Sequence, residues 1–269
     1  MMATSCEEMQ LPQAKELAGN LSVEKKSIPV LAVSLAGTEE EVLQCQRLRY
    51  SIFAEEMGAI LDTSIPGVDQ DSFDSLCKHL VVRDIRSGDI VGTTRLLIGN
   101  DPNTDVHFYS ETEFDIKNVM DLPGRMMEIG RTCIHPDYRN GSTIAVLWQG
   151  LARMMVLHDV DYLIGCASIP LDDGGANAMA VMNRLRDKGF GAPHLRVYPY
   201  KLLPSPITDA IGTVRYPSLL KAYLRLGAVI CGEPFWDVQF NVADVFVLLN
   251  RDQIDRRYAR HFIPGARQA

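Results

Sequence analysis

The sequence predicts an α/β fold in which one mixed central β-sheet carries helices on both faces. Two β-type runs at 79–83 and 90–98 flank the turn-forming stretch Arg-Ser-Gly-Asp, which is typical of an antiparallel hairpin. Further along, a strand at 126–134, a helix at 142–158 and a buried strand at 162–167 follow one another. A hairpin followed by a strand–helix–strand unit requires both strand directions in one sheet.

The first elements are predicted from composition and capping signals. Residues 1–26 show no periodicity, so we expect a mobile leader, and the branched apolar run at 27–36 suits a strand. Thr38 and Glu41 form a capping box, in which each side chain satisfies a free amide at a helix start. Apolar residues at helical spacing then extend this helix to about Met57.

The C-terminal half completes one domain. Ser142 is the expected N-cap of the central helix, and Gly189 ends a later one. The remaining predicted elements are helices at 176–188, 218–226 and 253–261 and a strand at 244–249. We therefore expect a single domain over 27–262 and a short tail at 263–269.

Composition and charge exclude several classes of protein. A chain of 269 residues with 46% hydrophobic residues can bury its own core, and its net charge of -7 argues against a nucleic-acid partner. The cysteines show no C-x-x-C spacing, so we expect no metal site and a reducing, cytoplasmic location. The longest uncharged stretch, 140–152, is too short for a bilayer, which needs about 20 residues.

The loop that enters the central helix is a candidate ligand site. The first amides of a helix have no partner within it, and Gly141 lets a ligand approach the backbone. These amides suit an anion or the carbonyls of an extended ligand. A strand–loop–helix is also an ordinary connection, so the loop alone leaves both interpretations open.

Several charged residues occur in a recognisable order. The sequence resembles the acyl-homoserine-lactone synthases in an Arg-x-x-x-Phe, an Asp-x-x-Asp, a strand arginine and a Glu-x-x-Arg. The matching residues are Arg49 with Phe53, Asp71 with Asp74, Arg95, and Glu128 with Arg131. The order and rough spacing are kept over about 85 residues, which makes the set more specific than any single piece.

A closer resemblance is to the bacterial ornithine-lipid-forming N-acyltransferases. Three segments carry it, EIGRTCIHPDYRNGSTIAVLWQGLARMM, GCASIP and YPSLLKAYLRLGAVICGEPFWDVQFNVADVFVLLN, and it extends over about 40–262. It implies a GNAT-like fold and transfer of a 3-hydroxy fatty acyl group from acyl carrier protein to the α-amine of ornithine. It also implies no permanently bound cofactor, because the acyl-phosphopantetheine of the carrier protein is a co-substrate.

One departure bears on the acyl donor. Acetyltransferases that bind coenzyme A carry Gln/Arg-x-x-Gly-x-Gly/Ala in this loop. Counted from Arg139, Ser142 and Ile144 occupy the fourth and sixth positions of that motif here. The loss of both small residues fits a phosphopantetheine with one phosphodiester. The residues expected to bind the acyl-phosphopantetheine are Arg139, Asn140, Gly141, Ser142, Thr143 and Trp148.

The resemblance also suggests catalytic roles. Glu128 is the expected base for the amine, and an internal ion pair with Arg131 or Arg95 is the alternative. Backbone amides near Cys133 and Ile134 are expected to stabilise the oxyanion. Cys133 is a poor candidate nucleophile, since no His-Asp pair accompanies it, and no acid for the leaving thiol is identified.

The amino acid substrate needs charged partners. Arg49 and Phe53 are expected to belong to its site, and Asp71 and Asp74 to receive the side-chain amine. Arg95 or Arg131 would hold the carboxylate as a bidentate pair. The alternative for the two aspartates is to cap or ion-pair their own loop, and the predicted acyl-cleft residues Phe53, Trp148 and Leu151 suit a plain core equally well.

The arginine-rich C-terminal segment predicts a docking surface. Its arginines, with Arg139 and Arg153 near the central helix, suit an acidic acyl carrier protein or the headgroups of the inner membrane, where the product belongs. A solvated terminal helix is the alternative. The arginines of the segment are Arg251, Arg256, Arg257, Arg260 and Arg267.

Two other functions remain open. A lactone synthase, or an N-acyl amino acid synthase acting on glycine, would use the same scaffold and acyl donor with another amine. An inactive relative that only binds lipid or carrier protein belongs to a different class. The inactive relative is disfavoured because it would not need the charged residues of the motifs, which are Asp71, Asp74, Arg95, Glu128 and Arg131.

Overall fold

Ten strands and five α-helices make up the part of the chain that the computed structural model describes, which is residues 30–99, 107–204 and 213–254. The strands are β1 (Leu31–Leu35), β2 (Lys78–Asp84), β3 (Ile90–Ile98), β4 (Phe114–Asp115), β5 (Arg125–Ile134), β6 (Val160–Pro170), β7 (Tyr198–Pro199), β8 (Val229–Ile230), β9 (Phe235–Asp237) and β10 (Val242–Asn250). The helices are α1 (Glu39–Tyr50), α2 (Lys117–Met120), α3 (Gly141–Leu157), α4 (Ala176–Lys188) and α5 (Ser218–Leu226).

The central sheet is mixed, as predicted. Its order is β1-β2-β3-β5-β6-β10-β8, and β9 also pairs with β10. Among the strands described, only the β5–β6 pair is parallel, with α3 as its crossover. Strands β4 and β7 form a separate antiparallel pair.

Helices cover both faces of the sheet, which confirms the second part of the predicted architecture. Neighbouring residues of a strand point to opposite faces. Leu80 and Val82 of β2 lie in the core that contains residues of α3, α4 and α5, whereas Val81 packs with Cys45 of α1. The segment around Phe114 covers another part of that second face, against Phe246 of β10.

The sheet opens at its centre. Strands β5 and β6 pair only from Arg125↔Val160 to Glu128↔Ile164 and then diverge, which creates a fork between them. Opposite the fork, β5 bulges against β3, and Arg131 has a left-handed φ of 50°. A β-bulge bends its strand, so it assists the divergence.

Two helix termini differ from the sequence prediction. The first helix ends near Met57 as expected, but its last turn, Ser51–Glu56, is π-helical. The predicted N-cap at Ser142 is wrong, because Asn140 caps α3 two residues earlier, with its Oδ1 accepting from the amides of Ser142 and Thr143. Asparagine caps helices as well as serine does, so composition alone did not distinguish them.

The short elements escaped prediction, and the chain ends are not described. Strands β4, β7, β8 and β9 and helix α2 have two to four residues, which is too short for a periodic pattern. The predicted leader at 1–26, the tail at 263–269 and most of the helix at 253–261 lie outside the described residues. None of the described helices is long and apolar enough to cross a membrane.

Candidate active site

The fork between β5 and β6 leads into a cavity of about 700 Å³. Its walls come from both strands, from β10, from α5, from the π-helical turn and from the segment that precedes β4. The charged and hydrogen-bonding side chains that line it include Arg95, Tyr109, Glu113, Glu128, Arg131, Arg139, Asn140, Ser168, Lys221, Arg225, Asp237 and Asp244. The cavity therefore reaches the predicted base.

Glu128 lies where the β5–β6 pairing ends and is 4% exposed. Its carboxylate accepts hydrogen bonds from the amides of Tyr109 (2.6 Å) and Ser110 (2.8 Å) and from the Ser110 hydroxyl (2.5 Å). Burial raises the pKa of Glu128 although these hydrogen bonds oppose the rise. Within the described ranges Glu128 forms no ion pair with Arg131 or Arg95, the alternative that the sequence left open.

The backbone beyond Glu128 presents one of the two predicted oxyanion donors to the fork. The amide of His135 donates to Val91 of the neighbouring strand β3. Because amide directions alternate along a strand, the Cys133 amide also points to β3, and the Ile134 amide points to the fork. The Ile134 carbonyl points the same way and accepts from Arg139 Nε at 3.0 Å.

Cys133 lines the cavity, but its thiol is unsuited to covalent chemistry. Burial raises the pKa of this thiol far above its usual range, so it stays protonated at neutral pH. A protonated, buried thiol is inert because the thiolate is the nucleophile. The expectation of direct transfer without a cysteine intermediate is consistent with this environment.

A buried ion-pair network contains most of the charged residues singled out in the sequence. Arg49, 1% exposed, donates to Asp69 (2.8 Å) and Asp74 (2.6 Å), and Arg95 donates to Asp71 (2.5 Å) and Asp74 (3.4 Å). Burial alone would raise the pKa of Asp74, but its hydrogen bonds and charge interaction with Arg49 lower it to about 2. The charges of Asp71 and Asp74 are therefore already balanced, and neither residue lines the cavity.

Arg131 differs from Arg49 and Arg95 because its contacts to acidic residues are long. Its guanidinium lies over the rings of Tyr109 (5.3 Å) and Phe240 (4.7 Å) and faces the cavity. Its Nε lies 3.4 Å from Asp69 Oδ2 without forming a hydrogen bond, and its Nη2 donates to Asp71 Oδ2 at 3.4 Å. Of the two arginines proposed for a substrate carboxylate, Arg131 is thus the one without a short contact to an acidic residue of the described ranges.

Three acidic residues that line the cavity were not predicted from the sequence. Glu113, Asp237 and Asp244 are all buried, and their carboxylate oxygens lie within 4.8 Å of one another. Asp244 carried a signal, since it is the single charged residue in the apolar strand β10. Glu113 and Asp237 lie in or beside short elements without periodicity, so nothing in the sequence marked them.

The residues predicted to bind phosphopantetheine are divided between the cavity and the core. Arg139, Asn140 and Gly141 line the cavity, and Arg139 also pairs with Glu56 at 2.5 and 2.6 Å. Ser142 and Thr143 are outside the lining, and Asn140 already accepts from their amides. These amides are therefore not free for a phosphate.

Of the three residues predicted for the acyl cleft, only one lines the cavity. Phe53 lines the cavity, together with apolar residues such as Ile144 and Phe240. Trp148 and Leu151 instead lie in the core beneath the helices, where the indole packs edge-on against Tyr223 at 5.4 Å. They are outside the cavity because they occupy the sheet-facing side of α3.

Comparison with known proteins identifies the family. Residues 48–149 match the model of the acetyltransferase (GNAT) domain. The chain is 37% identical over 252 residues to an L-ornithine N(alpha)-acyltransferase of Agrobacterium fabrum, with 87% of this chain and 86% of that protein covered. An enzyme of the same name from Brucella abortus is 33% identical over 86% of this chain and 88% of its own length. The chain belongs to the L-ornithine N(alpha)-acyltransferase family.

Solved structures confirm the fold of this family member. FeeM, an N-acyl amino acid synthase from uncultured soil microbes, matches with a TM-score of 0.50 and 10% identity, over 83% of this chain and 92% of FeeM. The CoA-dependent acyl-homoserine lactone synthase BjaI matches with a TM-score of 0.50 and 16% identity, over 88% and 92%. At these identities the likeness concerns the GNAT-like fold alone.

In this L-ornithine N(alpha)-acyltransferase family member, the predicted site residues separate into two groups. Arg95, Glu128 and Arg131 line the cavity, with Phe53 on its apolar wall. Arg49, Asp71 and Asp74 lie behind them in the ion-pair network. The roles expected for both groups stay predictions.

Proposed function

We propose that the protein transfers a fatty acyl group, held as a thioester on acyl carrier protein, to the α-amine of ornithine. Membership of the L-ornithine N(alpha)-acyltransferase family supports this amine and this reaction. The product would be an N-acylated ornithine, the lyso precursor of ornithine lipid. An acyl chain with a 3-hydroxyl group is the donor that the sequence resemblance favours.

The observation that carries the proposal is a cavity at the open fork whose lining is both apolar and charged. The apolar lining includes Phe53 and Ile144, and the charged lining includes Glu128, which is buried, and Arg131. A fatty chain needs the first environment, and a charged amino acid needs the second. The reacting carbon and nitrogen would meet between them, held in place rather than brought together by diffusion.

The proposed chemistry uses groups at the fork. Glu128 removes a proton from the α-ammonium, directly or through one water, and the amine attacks the thioester carbon. The Ile134 amide donates to the oxygen while negative charge develops on it. As the C–N bond forms and the C–S bond breaks, the nitrogen releases its second proton and the departing sulfur takes up one. The products are the amide, the free thiol and the proton that Glu128 removed.

The donor is proposed to be a carrier-protein phosphopantetheine. Lys221 and Arg225 lie one turn apart on α5, are exposed, and line the cavity, and neither forms an ion pair with a described residue. Because Asn140 occupies the first amides of α3, cationic side chains would have to hold the phosphate. Two such side chains suit one phosphodiester.

We also propose that the enzyme works in the cytoplasm, in peripheral contact with the inner membrane. The N-acylated product has a fatty chain and belongs in a bilayer. The arginine-rich residues beyond 254, which lie outside the described part of the chain, are the candidate contact with anionic headgroups.

Mass spectrometry of the products would test the proposed function. The purified enzyme is incubated with 3-hydroxyacyl carrier protein and, separately, with ornithine, glycine or S-adenosylmethionine. We expect acylornithine as the main product. Acylglycine or an acyl-lactone as the main product would identify another synthase, and no product in any mixture would favour an inactive binding protein.

A further inference from the structure

Three carboxyl groups lie together in the cavity and form no ion pair with a described residue. Glu113, Asp237 and Asp244 are 3%, 8% and 4% exposed and all line the cavity. Their oxygens come within 4.8 Å of one another. No lysine, arginine or histidine of the described ranges forms an ion pair with any of them.

Hydrogen bonds satisfy only part of this acidic cluster. Asp244 accepts from the Ser168 hydroxyl at 2.6 Å, and Asp237 accepts from two backbone amides at 2.8 and 3.1 Å. Glu113 Oε2 has no hydrogen-bond donor although it is buried. A buried polar atom without a partner is unfavourable, so a ligand that brings a donor to this oxygen would be favoured.

Arg131 provides the complementary charge in the same cavity. Its guanidinium lines the cavity and has only long contacts, of 3.4 Å, to Asp69 and Asp71. Its charge also acts on Asp244, since it opposes the rise in the pKa of that carboxyl. The cavity thus offers one group for an anion and, close to it, three groups for a cation.

We propose that Glu113, Asp237 and Asp244 form the subsite for the side-chain ammonium of the amino acid substrate, while Arg131 holds its carboxylate. This inference rests on the proposed function and specifies which part of the site selects a diamino acid. The α-amine, which lies between the two anchored groups of such a substrate, is left free for acylation.

An ammonium group fits the acidic cluster in number and in charge. It has three donors, and the cluster has three carboxyl groups, one of them with an open oxygen. Burial raises the pKa of Glu113 and Asp244, for Asp244 to about 7, and a bound cation would favour their ionised forms. A divalent cation is the rival ligand for these three carboxyl groups.

Substrate pairs that differ only in the side-chain amine test the subsite directly. Norvaline has the carbon skeleton of ornithine without its terminal amine. We expect the enzyme to prefer ornithine to norvaline by at least about 100-fold in kcat/KM, because norvaline leaves buried polar groups unpaired. Calorimetric binding of the two amino acids without acyl donor should show the same preference.

Variants of the acidic cluster test whether it causes the preference for ornithine over norvaline. Asp244→Asn and Glu113→Gln keep the side-chain size, and each should lower kcat/KM for ornithine by about 30-fold or more while that for norvaline changes less than threefold. Asp187→Asn, on the exposed face of α4, removes a carboxylate elsewhere and should change neither value. Thermal unfolding of each variant identifies loss of fold.

The outcomes separate this inference from the proposed function. If the wild-type enzyme yields no acylornithine, the proposed function fails, whatever the variants do. If it yields acylornithine but binds and uses norvaline within threefold of ornithine, the subsite is overturned and the function stands. Micromolar binding of Mg²⁺ or Ca²⁺ that both variants abolish would also overturn the ammonium subsite, and absence of such binding supports it.

Discussion

Buried carboxylates in this protein differ in what neutralises them. Asp74 has two arginines at hydrogen-bond distance and keeps its charge. Asp244 has a hydroxyl and two further acids as neighbours, and burial raises its pKa to about 7. Since uncompensated buried acids are costly, the first type is expected to stabilise a fold and the second type to meet a ligand.

Glu128 has no arginine partner at hydrogen-bond distance in the described ranges but accepts three hydrogen bonds, so it shares features of both types. Its replacement tests the proposed base. Glu128→Gln keeps the volume but cannot accept the ammonium proton, so we expect kcat to fall by about 100-fold or more at saturating substrates. The measurement is steady-state turnover with the pH profile of kcat, together with the melting temperature. A kcat within threefold of the wild type would remove Glu128 from the mechanism.

At the residue scale, site residues that belong to a spaced motif could be predicted from the sequence. Site residues that belong to no motif and meet only in the folded protein could not. Glu128 and Arg131 were found because they occur in a spaced Glu-x-x-Arg pair. Glu113 and Asp237 come from distant parts of the chain and meet only in the folded protein. The sequence also could not tell which arginine has the shorter contacts to acidic residues, because those contacts exist only in the folded protein.

At the element scale, the site depends on the divergence of two strands. Gly165 lies next to the last paired residue of β6, and a Cβ at this position would lie 2.3 Å from the carbonyl oxygen of Ile129. Its φ of 156° also disfavours a side chain. A backbone atom cannot rotate away, so this close approach fixes where the fork begins.

The Gly165→Ala substitution should therefore destabilise the fork. We expect the free energy of unfolding to fall by about 2–3 kcal/mol, with a lower kcat, because the strands must separate further. Urea unfolding and turnover measure the two effects. Gly37→Ala is the matched control, since its added methyl meets only Glu41 Oε2 at 3.7 Å. Equal stability of both variants would contradict the close approach.

Helix α5 carries the prediction for donor docking. Reversing Lys221 and Arg225 to Glu should raise the KM for acyl carrier protein about 10-fold at low salt and less at high salt, because exposed charges are screened. Arg184→Glu with Lys188→Glu reverses a pair of the same spacing on the exposed face of α4 and should leave KM unchanged. Identical KM values at both salt concentrations would remove α5 from the docking surface.

At the scale of the whole molecule, the two kinds of acid determine how stability depends on pH. The pKa of Asp74 is lowered to about 2, below the unfolded value of about 3.9, so its stabilisation is lost as the pH falls from about 4 to 2. The pKa of Asp244 is raised to about 7, so the folded protein binds more protons between about pH 4 and 7 and loses stability as the pH rises through that range.

We expect ligand-free protein to be most stable near pH 4–5 and less stable at pH 8. Urea unfolding at both values measures the difference, in which each unit of pKa shift contributes about 1.4 kcal/mol. Asp244→Asn should reduce the difference, and Asp187→Asn should not. A pH dependence that is the same in all three proteins would refute the assignment to Asp244.

The architecture of the whole molecule could be predicted further than its site. Long elements with a clear period, such as β3 at Ile90–Ile98 and α4 at Ala176–Lys188, were predicted with the bounds that the structure has. The order of the strands required the observation of pairing, because the sequence does not state that β10 lies beside β6. The fork likewise depends on non-local packing around Gly165 and Arg131.

The early end of the β5–β6 ladder leaves an edge inside the molecule rather than at its border. Edge strands bind extended chains through their unpaired peptide groups, and a pantetheine arm has two amide groups of its own. Such an arm in the fork would act as a short substitute strand that bridges β5 and β6. Binding of the donor would then supply hydrogen bonds where the β5–β6 pairing ends. Hydrogen–deuterium exchange at the Ile134 amide would slow when the arm binds.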